Sequence, residues 1–302
     1  MANRRFSSGQ RWRRKWLYHP MQAGLLYALL TIFRLLPVAW ASAVGSWTAR
    51  LVAPLLAGPT RRAERTLDIC FPDMPKPERD RIIAGMWDNL GRIAGEYPHL
   101  GRLWHDRRRV KFVGWEHLDA ARATGRPLFL VGGHIGNWEL AARGAGQMTP
   151  PAAVIYRAPN NRLLDPVIRC LRHTPGLLQL RKGKEAAKGS IKLLNEGGTL
   201  ALLVDQRLNA GIPVPFFGRP AMTAPAIAQL ALRFDGIVLP VRVCRKKGAR
   251  FLVIIEPPVE LPRTDDRAAD ILAIMTEINA ILERWIRDRP EQWLWLHRRW
   301  KG

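Results

Sequence analysis

Short β-rich runs alternate with helix-like segments from residue 127 onwards, and no other feature of the sequence constrains the fold as strongly. The β-rich runs are PLFLV (127–131), AAVIY (152–156), TLALLV (199–204), GIVLPVRV (236–243) and RFLVIIE (250–256). The helix-like segments between them are WELAARGAG, NRLLDPVIRCLRH, KEAAKGSIKLLNEGG and APAIAQLALRFDG. Strands that alternate with helices build a largely parallel sheet covered by helices. The sequence therefore predicts an α/β fold, a mainly parallel mixed sheet flanked by helices.

Helical patterns also flank the alternating region. Between about 60 and 105, apolar residues such as Ile82, Met86 and Ile93 recur at helical spacing. Near the C-terminus, RAADILAIMTEINAILERWIRDRP predicts a long amphipathic helix that Pro290 ends. Because no repeat or low-complexity tract marks a further boundary, residues 60–302 are predicted to form one domain.

Residues 1–59 are predicted to form a basic leader followed by membrane-associated apolar helices. The leader MANRRFSSGQRWRRKW has no acidic residue, and by the positive-inside rule it favours a cytoplasmic amino terminus. Arg34, Pro37 and Arg50 interrupt the apolar region that follows, whereas a helix that crosses a bilayer needs about 20 apolar residues.

The sequence leaves three arrangements open for this apolar region. It forms a spanning helix or hairpin, a pair of helices in the membrane interface, or core helices of a soluble domain. Aromatic residues suited to the headgroup level favour the interface: Trp12, Trp16, Tyr18, Tyr27, Trp40 and Trp47.

The charge of the chain indicates anionic partners. Its 48 Lys and Arg residues exceed its 25 Asp and Glu residues, which gives a formal net charge of +23. The basic residues are scattered and no nucleic-acid-binding signature is present, so nucleic acid is not a predicted partner. Cys70, Cys170 and Cys244 are too far apart for a CxxC or zinc-site spacing, and they indicate reduced thiols in a cytoplasmic setting.

The stretch GGHIGNWE follows the first β-rich run and has the composition of a reactive site. In an α/β sheet, ligands bind at the carboxyl ends of strands, where Gly132 and Gly133 permit a tight turn before His134. The next helix is predicted to begin near Asn137 or Trp138, which places Glu139 in its first turn. Glu139 is then expected to hold one imidazole nitrogen while the other removes a proton from a hydroxyl.

The same stretch indicates what else the chemistry uses. No nearby Ser or Cys offers a nucleophile, so direct attack by a substrate hydroxyl is expected. Backbone N–H groups from Gly133 to Asn137 are predicted to stabilise the oxyanion. His134 and Glu139 fall short of the three or four ligands of a zinc site, so no metal is predicted.

HIGNWE resembles the HxxxxD/E motif of the glycerolipid acyltransferase superfamily, and more closely the bacterial lipid A biosynthesis lauroyl/myristoyl (late) acyltransferase family. Further blocks of that family match in order along most of residues 15–301. They are YRAPNN (156–161), LLVDQR (202–207), VPFFGRPAMT (214–223) and EQWLWLHRRWK (291–301).

The resemblance implies an O-acyltransferase at the cytoplasmic face of the bacterial inner membrane. Such an enzyme moves a fatty acyl chain from an acyl carrier protein thioester to a hydroxyl of a phosphorylated glycolipid, a lipid A precursor, without a cofactor. The high positive charge suits an acidic carrier protein and a phosphorylated acceptor. The alternative is acyl-CoA-dependent acylation of another glycolipid, such as a phosphatidylinositol mannoside.

The resemblance also assigns roles to individual residues. His134 is the general base and Glu139 orients it. The predicted substrate-binding residues are Asn137, Arg157, Asp205, Phe217, Gly218 and Arg298.

All of these substrate-binding assignments except that of Asn137 have a structural alternative. Arg157 fits phosphate but also an exposed strand end, and Asp205 fits the cleft of His134 but also a loop cap. Phe217 and Gly218 fit an acyl-chain wall or ordinary loop packing. His297, Arg298 and Arg299 form a phosphate cluster, anchored by Trp293, Trp295 and Trp300, or a solvated basic tail.

Overall fold

The computed structural model describes residues 14–149 and 151–300. Much of the predicted basic leader, including Arg4, Arg5, Arg11, Trp12 and Arg13, lies outside the described residues.

A seven-stranded sheet with the order β1-β9-β8-β2-β5-β3-β4 forms the centre of the fold, and β6 and β7 form a separate hairpin. The strands are β1 (Val110–Val113), β2 (Leu128–Gly132), β3 (Ala152–Tyr156), β4 (Leu177–Arg181), β5 (Thr199–Leu203), β6 (Ile212–Phe216), β7 (Arg219–Thr223), β8 (Ile237–Arg245) and β9 (Phe251–Ile255). All pairs in the large sheet are parallel except β8 with β9. The prediction of a mainly parallel mixed sheet is confirmed.

Helices cover the sheet, as the sequence predicts. They are α1 (His19–Leu35), α2 (Val38–Val52), α3 (Ala57–Cys70), α4 (Lys76–Glu96), α5 (Leu100–His105), α6 (Trp115–Ala123), α7 (Trp138–Met148), α8 (Asp165–Arg172), α9 (Lys184–Asn195), α10 (Ala226–Arg233) and α11 (Arg267–Asp288). Helix α7 begins at Trp138 and α11 ends two residues before Pro290, so both predicted boundaries are confirmed. The side chain of Asp266 caps α11 by accepting from the N–H groups of Ala268 and Ala269.

The β6–β7 hairpin contains most of the block VPFFGRPAMT (214–223), which was not among the predicted β-rich runs. Its turn residues Phe217 and Gly218 have φ angles of 51° and 68°. A two-residue hairpin turn favours positive φ at both positions because this matches the twist of the strands. Phe217 and Gly218 therefore reverse the chain between β6 and β7. Besides these two strands, the sequence analysis also did not predict β1 and β4.

Helices α1 and α2 each have one packed face and one exposed apolar face. Helix α2 lies along α4 through small residues, and a Cβ on Gly91 would lie 2.3 Å from the Gly45 carbonyl oxygen. Large apolar side chains point outwards: Leu35 of α1 and Trp40 and Trp47 of α2 are 80%, 68% and 66% exposed, and Leu55, three residues after α2, is 81% exposed. Within residues 14–149 and 151–300, no helix combines the length and apolar character needed to cross a membrane, so a spanning N-terminal helix is not supported.

Candidate active site

His134 and Asp205 face each other at the carboxyl edge of the sheet. Strands β2 and β5 are parallel neighbours with Gly132 opposite Leu203, and the two polar residues each follow two positions later. The imidazole Nδ1 lies 2.8 Å from Asp205 Oδ1, and the backbone N–H of His134 donates to Oδ2 at 2.8 Å. The indole N–H of Trp293 also donates to Oδ2 at 2.8 Å. Asp205 thus accepts three hydrogen bonds without any exposure to solvent.

This pairing sets the protonation of both groups. Burial alone would raise the pKa of the Asp205 carboxyl, but the charge and hydrogen bonds of His134 hold that pKa well below its usual range. Burial likewise acts to lower the pKa of His134, and the Asp205 carboxylate outweighs it, so the pKa of the imidazole is raised above 6.5. Because the ionised carboxylate accepts, Nδ1 carries the proton of the neutral ring, and Nε2 keeps its lone pair for a substrate.

The turn that presents His134 is fixed against the C-terminal segment. Gly136 has a φ of 57°, and a Cβ there would lie 1.7 Å from the Val243 carbonyl oxygen, so the site requires glycine. The N–H of Gly136 donates to the Gln292 carbonyl at 3.0 Å, and the N–H of Leu294 donates to the His134 carbonyl at 3.1 Å. Residues far apart in the chain therefore set the position of the imidazole together.

Glu139 does not contact the imidazole, contrary to the expectation that it holds one ring nitrogen. Its Oε2 accepts from Arg172 Nε at 2.7 Å, its Oε1 accepts from Arg172 Nη2, and the Trp138 indole N–H donates to Oε1 at 3.2 Å. Arg172, from α8, matches both carboxylate oxygens at once, whereas Asp205 already occupies the position beside Nδ1. The structure gives the orienting position to Asp205.

The expected oxyanion donors of the turn are largely engaged. The N–H of His134 donates to Asp205, that of Ile135 to the Gly133 carbonyl at 2.8 Å, and that of Gly136 to Gln292. Three of the five N–H groups from Gly133 to Asn137 therefore have acceptors within the protein, so the prediction that this turn stabilises the oxyanion now concerns the N–H groups of Gly133 and Asn137.

Comparison with known proteins identifies the family of this chain. Residues 11–302 match the family described as bacterial lipid A biosynthesis acyltransferase. The chain belongs to this family. Among its relatives is the lipid A biosynthesis lauroyltransferase of Escherichia coli (strain K12), 31% identical over 254 residues, which are 80% of this chain and 79% of the relative.

Two further relatives have the same kind of name. The lipid A biosynthesis palmitoleoyltransferase of Escherichia coli (strain K12) is 28% identical over 269 residues, 85% of this chain and 84% of the relative. A lipid A biosynthesis acyltransferase of Haemophilus influenzae is 31% identical over 249 residues, 79% of this chain and 76% of the relative. The chain is an O-acyltransferase, and the resemblance inferred from its motifs is confirmed.

Asn137 of this acyltransferase supports the turn from behind. Its side chain is fully buried and donates through Nδ2 to Glu96 Oε2 at 2.8 Å. Glu96 in turn forms an ion pair with Arg245, which is only 7% exposed. The amide of Asn137 is therefore directed into the protein, and the predicted contact of this side chain with substrate is replaced by a contact with Glu96.

The predicted acyl-chain wall packs into the acyltransferase core. Phe217 is 6% exposed, and its ring lies 5.5 Å from that of Phe71 between centroids. The guanidinium of Arg287 lies 4.7 Å from the Phe217 ring centroid. Gly218 is exposed in the hairpin turn. These contacts match the alternative of ordinary loop packing.

The C-terminal block divides into buried and exposed parts. Arg298 is exposed, whereas Arg299 is fully buried and donates to the Met222 carbonyl at 2.9 Å and to Thr223 Oγ1 at 2.7 Å. Trp293 and Trp295 are 1% and 0% exposed. The expectation that Arg299 meets phosphate and that these two indoles anchor in a membrane is therefore corrected, because they belong to the protein interior.

The sequence analysis did not predict that Gln206 and His297 lie beside His134. His297 lies beside His134, with ring centroids 4.8 Å apart, and Gln206 lies near both rings. Gln206 directly follows Asp205, and that adjacency was the available signal. Arg157 is exposed immediately after β3, on the same edge of the sheet.

In the described part of the chain, no cluster of three or more His, Cys, Asp or Glu side chains suits a metal ion.

Proposed function

We propose that this acyltransferase transfers a fatty acyl chain from an acyl carrier protein thioester to a hydroxyl of a lipid A precursor, with His134 as the general base. The observation that carries the proposal is the buried Asp205 carboxylate on Nδ1, which leaves Nε2 available as a base. Membership of the lipid A acyltransferase family supports the acceptor. The alternative acylation of a phosphatidylinositol mannoside from acyl-CoA is not favoured.

The reaction balances with one base. Nε2 of His134 takes the proton of the acceptor hydroxyl while its oxygen bonds to the thioester carbon. The negative tetrahedral intermediate expels the thiolate, and the imidazolium returns the proton to that sulfur. The products are an ester and a free thiol. Asp205 stabilises the imidazolium because its carboxylate stays ionised beside Nδ1.

Glu139 acts on this base indirectly. Its carboxylate holds the Trp138 indole, whose ring packs edge-on to that of His134 at 5.1 Å between centroids. Its charge also acts to raise the pKa of His134. We therefore assign Glu139 and Arg172 to positioning, next to the catalytic His134 and Asp205.

The acceptor headgroup is assigned to the side of the site where β3 ends. Arg157 is exposed there, and a cleft of about 540 Å³ lies between the start of α1 and the loop after β3. Tyr18, Gln22 and Asn160 line the cleft, and aromatic and amide groups suit a sugar. Arg157 and Arg298 are proposed to meet the phosphates, since a guanidinium pairs with two phosphate oxygens.

A purified-protein assay tests donor and acceptor together. A phosphorylated lipid A precursor is incubated with either lauroyl-acyl carrier protein or lauroyl-CoA, and the product is measured by mass spectrometry. We expect a single added acyl chain, at least tenfold faster from the carrier protein because the protein has a net charge of +23. His134→Ala is the inactive control. Transfer from acyl-CoA alone would reverse the donor assignment, and no transfer from either donor would overturn the function.

The outer faces of α1 and α2 are proposed to lie in the headgroup region at the cytoplasmic face of the bacterial inner membrane. Exposed Trp and Leu side chains cover these faces, and amphipathic aromatic rings prefer this depth. This arrangement requires no crossing helix. It brings a soluble carrier protein and a membrane-held acceptor to one site.

Replacing both Trp40 and Trp47 with Ser is expected to weaken binding to vesicles of phosphatidylethanolamine and phosphatidylglycerol at least tenfold. Each indole removes a large apolar surface from water when it enters the interface. Vesicle co-sedimentation of the full chain measures the effect. Leu272→Ser is the matched control because this leucine is 42% exposed on α11. Vesicle binding of this variant should equal that of the wild type. Equal loss in both variants would contradict the assigned membrane face.

A further inference from the structure

The side-chain amide of Gln206 lies between two imidazoles at the mouth of the site. Its Nε2 is 3.3 Å from Nε2 of His134 and 3.3 Å from Nε2 of His297. The side chain is exposed, whereas its neighbour Asp205 is fully buried. Gln206 therefore holds its amide beside the nitrogen that takes the substrate proton, in a position that solvent and substrate reach.

The protonation of the two rings fixes what this amide does. Nδ1 of His134 donates to Asp205, so Nε2 of His134 is an acceptor. Burial lowers the pKa of His297 to about 4, so this ring is neutral at neutral pH and also has an acceptor nitrogen. An amide NH₂ group has two hydrogens. The arrangement lets one hydrogen point to each imidazole.

Acyl transfer uses a donor of this kind. The tetrahedral intermediate of acyl transfer carries a negative oxygen that preorganised N–H groups stabilise. In the turn beside the base, the N–H groups of His134, Ile135 and Gly136 already donate to acceptors within the protein. The Gln206 amide is the side-chain donor that the described structure places against Nε2 of His134.

We propose that Gln206 is a further catalytic residue, whose side-chain N–H donates to the thioester carbonyl oxygen as it becomes an oxyanion, and that His297 positions this amide. The inference rests on the proposed acyl transfer, and it holds for any thioester donor.

The chemistry of the step explains why the amide becomes available. The acceptor hydroxyl takes the place of Gln206 as the partner of His134 Nε2. When Nε2 receives the hydroxyl proton, it becomes a donor and no longer accepts from Gln206. The oxygen that loses this proton bonds to the carbonyl carbon, and the former C=O electron pair becomes the oxyanion. One amide hydrogen of Gln206 then donates to the oxyanion, while the other still donates to His297.

Kinetics of Gln206→Ala test the proposal in the full chain. We expect kcat to fall about 100- to 1000-fold, the range for loss of one oxyanion donor, with KM for donor and acceptor within threefold of wild type. Gln206→Asn should recover part of the rate and Gln206→Glu none, because a carboxylate repels an oxyanion. Gln229→Ala is the matched control, since this glutamine is exposed on α10 and has no role in the proposed chemistry, and the kcat of this variant should be unchanged.

A double variant separates positioning from general damage. His297→Ala is expected to lower kcat about tenfold with Gln206 present and to have no further effect in Gln206→Ala, because residues that act as one unit are not additive. Additive losses would overturn the role of His297. A kcat of Gln206→Ala within twofold of wild type, or a change confined to KM, would overturn the role of Gln206 while His134→Ala remained inactive. Inactive wild-type protein would instead overturn the proposed function, and this inference with it.

Discussion

Asp205→Asn is expected to lower kcat by about 10³- to 10⁴-fold without unfolding the protein, the scale seen when the carboxylate of a Ser-His-Asp triad becomes an amide. Asp205 is fully buried and accepts from the ring and the backbone of His134 and from the Trp293 indole. An asparagine fills the same volume. Its carbonyl oxygen can take the position of Oδ2, which accepts from both the backbone and the indole.

The loss of rate follows from the tautomer. With the amide oxygen at Oδ2, the NH₂ group takes the position of Oδ1, 2.8 Å from Nδ1 of His134. Nδ1 must then accept, so the neutral ring carries its proton on Nε2, where a base needs a lone pair. Steady-state kinetics at saturating donor and acceptor measure kcat, and a thermal melt checks that the variant is folded.

The dependence of the rate on pH is a second test of the role of Asp205. The pKa of His134 is raised above 6.5, and a base works only when neutral, so the wild-type rate should fall as the pH drops through a value above 6.5. Asp205→Asn removes the charge that opposes burial, so the residual activity should have its acid limb at lower pH.

Glu139→Gln is the comparison that decides which carboxylate orients the base. It removes a charge that also acts to raise the pKa of His134, yet Glu139 bonds to Arg172 and Trp138. The Glu139→Gln variant should therefore lose less kcat, relative to wild type, than the Asp205→Asn variant. If Glu139→Gln has the larger effect, the orienting role returns to Glu139.

The sequence predicted the fold because local patterns carry that information. Alternating β-rich and helical runs specify a parallel sheet whatever the packing details are, and glycines after PLFLV mark the turn at the end of β2. The position of His134 follows from the same local rules. Strands β1 and β4 were missed because VKFV is short and LLQLR adjoins helix-like sequence, so neither shows a clear period of two.

The partners of His134 depend on strand order, which local patterns do not contain. Glu139 is five positions away in the sequence, whereas Asp205 is 71 positions away and is brought close because β5 pairs with β2. The same limit applies to Trp293 and His297, which reach the site through the β-bridge of Trp293 with Ile135. The aromatic and basic C-terminal block has the composition of a membrane anchor, but the structure shows that Trp293 and Trp295 are buried.

Glu96→Ala is expected to lower the free energy of unfolding by about 3–5 kcal/mol, because it leaves the Arg245 guanidinium buried without its counter-charge. Glu96 and Arg245 are 0% and 7% exposed, and Arg245 Nη2 donates to Glu96 Oε2 at 2.9 Å. Chemical denaturation of the full chain measures the loss. Asp80→Ala is the control, because the side chains of Asp80 and its ion-pair partner Lys76 are 53% and 80% exposed. The expected loss of unfolding free energy is about 0.5 kcal/mol or less.

Replacing both partners separates stability from catalysis. Well-packed apolar residues often replace a buried ion pair without loss, so Glu96→Leu with Arg245→Met should regain most of the stability. It should not regain kcat, because Ser42 of α2 and Asn137 of the catalytic turn both donate to Glu96, at 2.7 and 2.8 Å. Without that carboxylate the turn loses its link to the helix proposed to lie in the membrane interface. A double variant that is stable and fully active would show that Glu96 serves the fold alone.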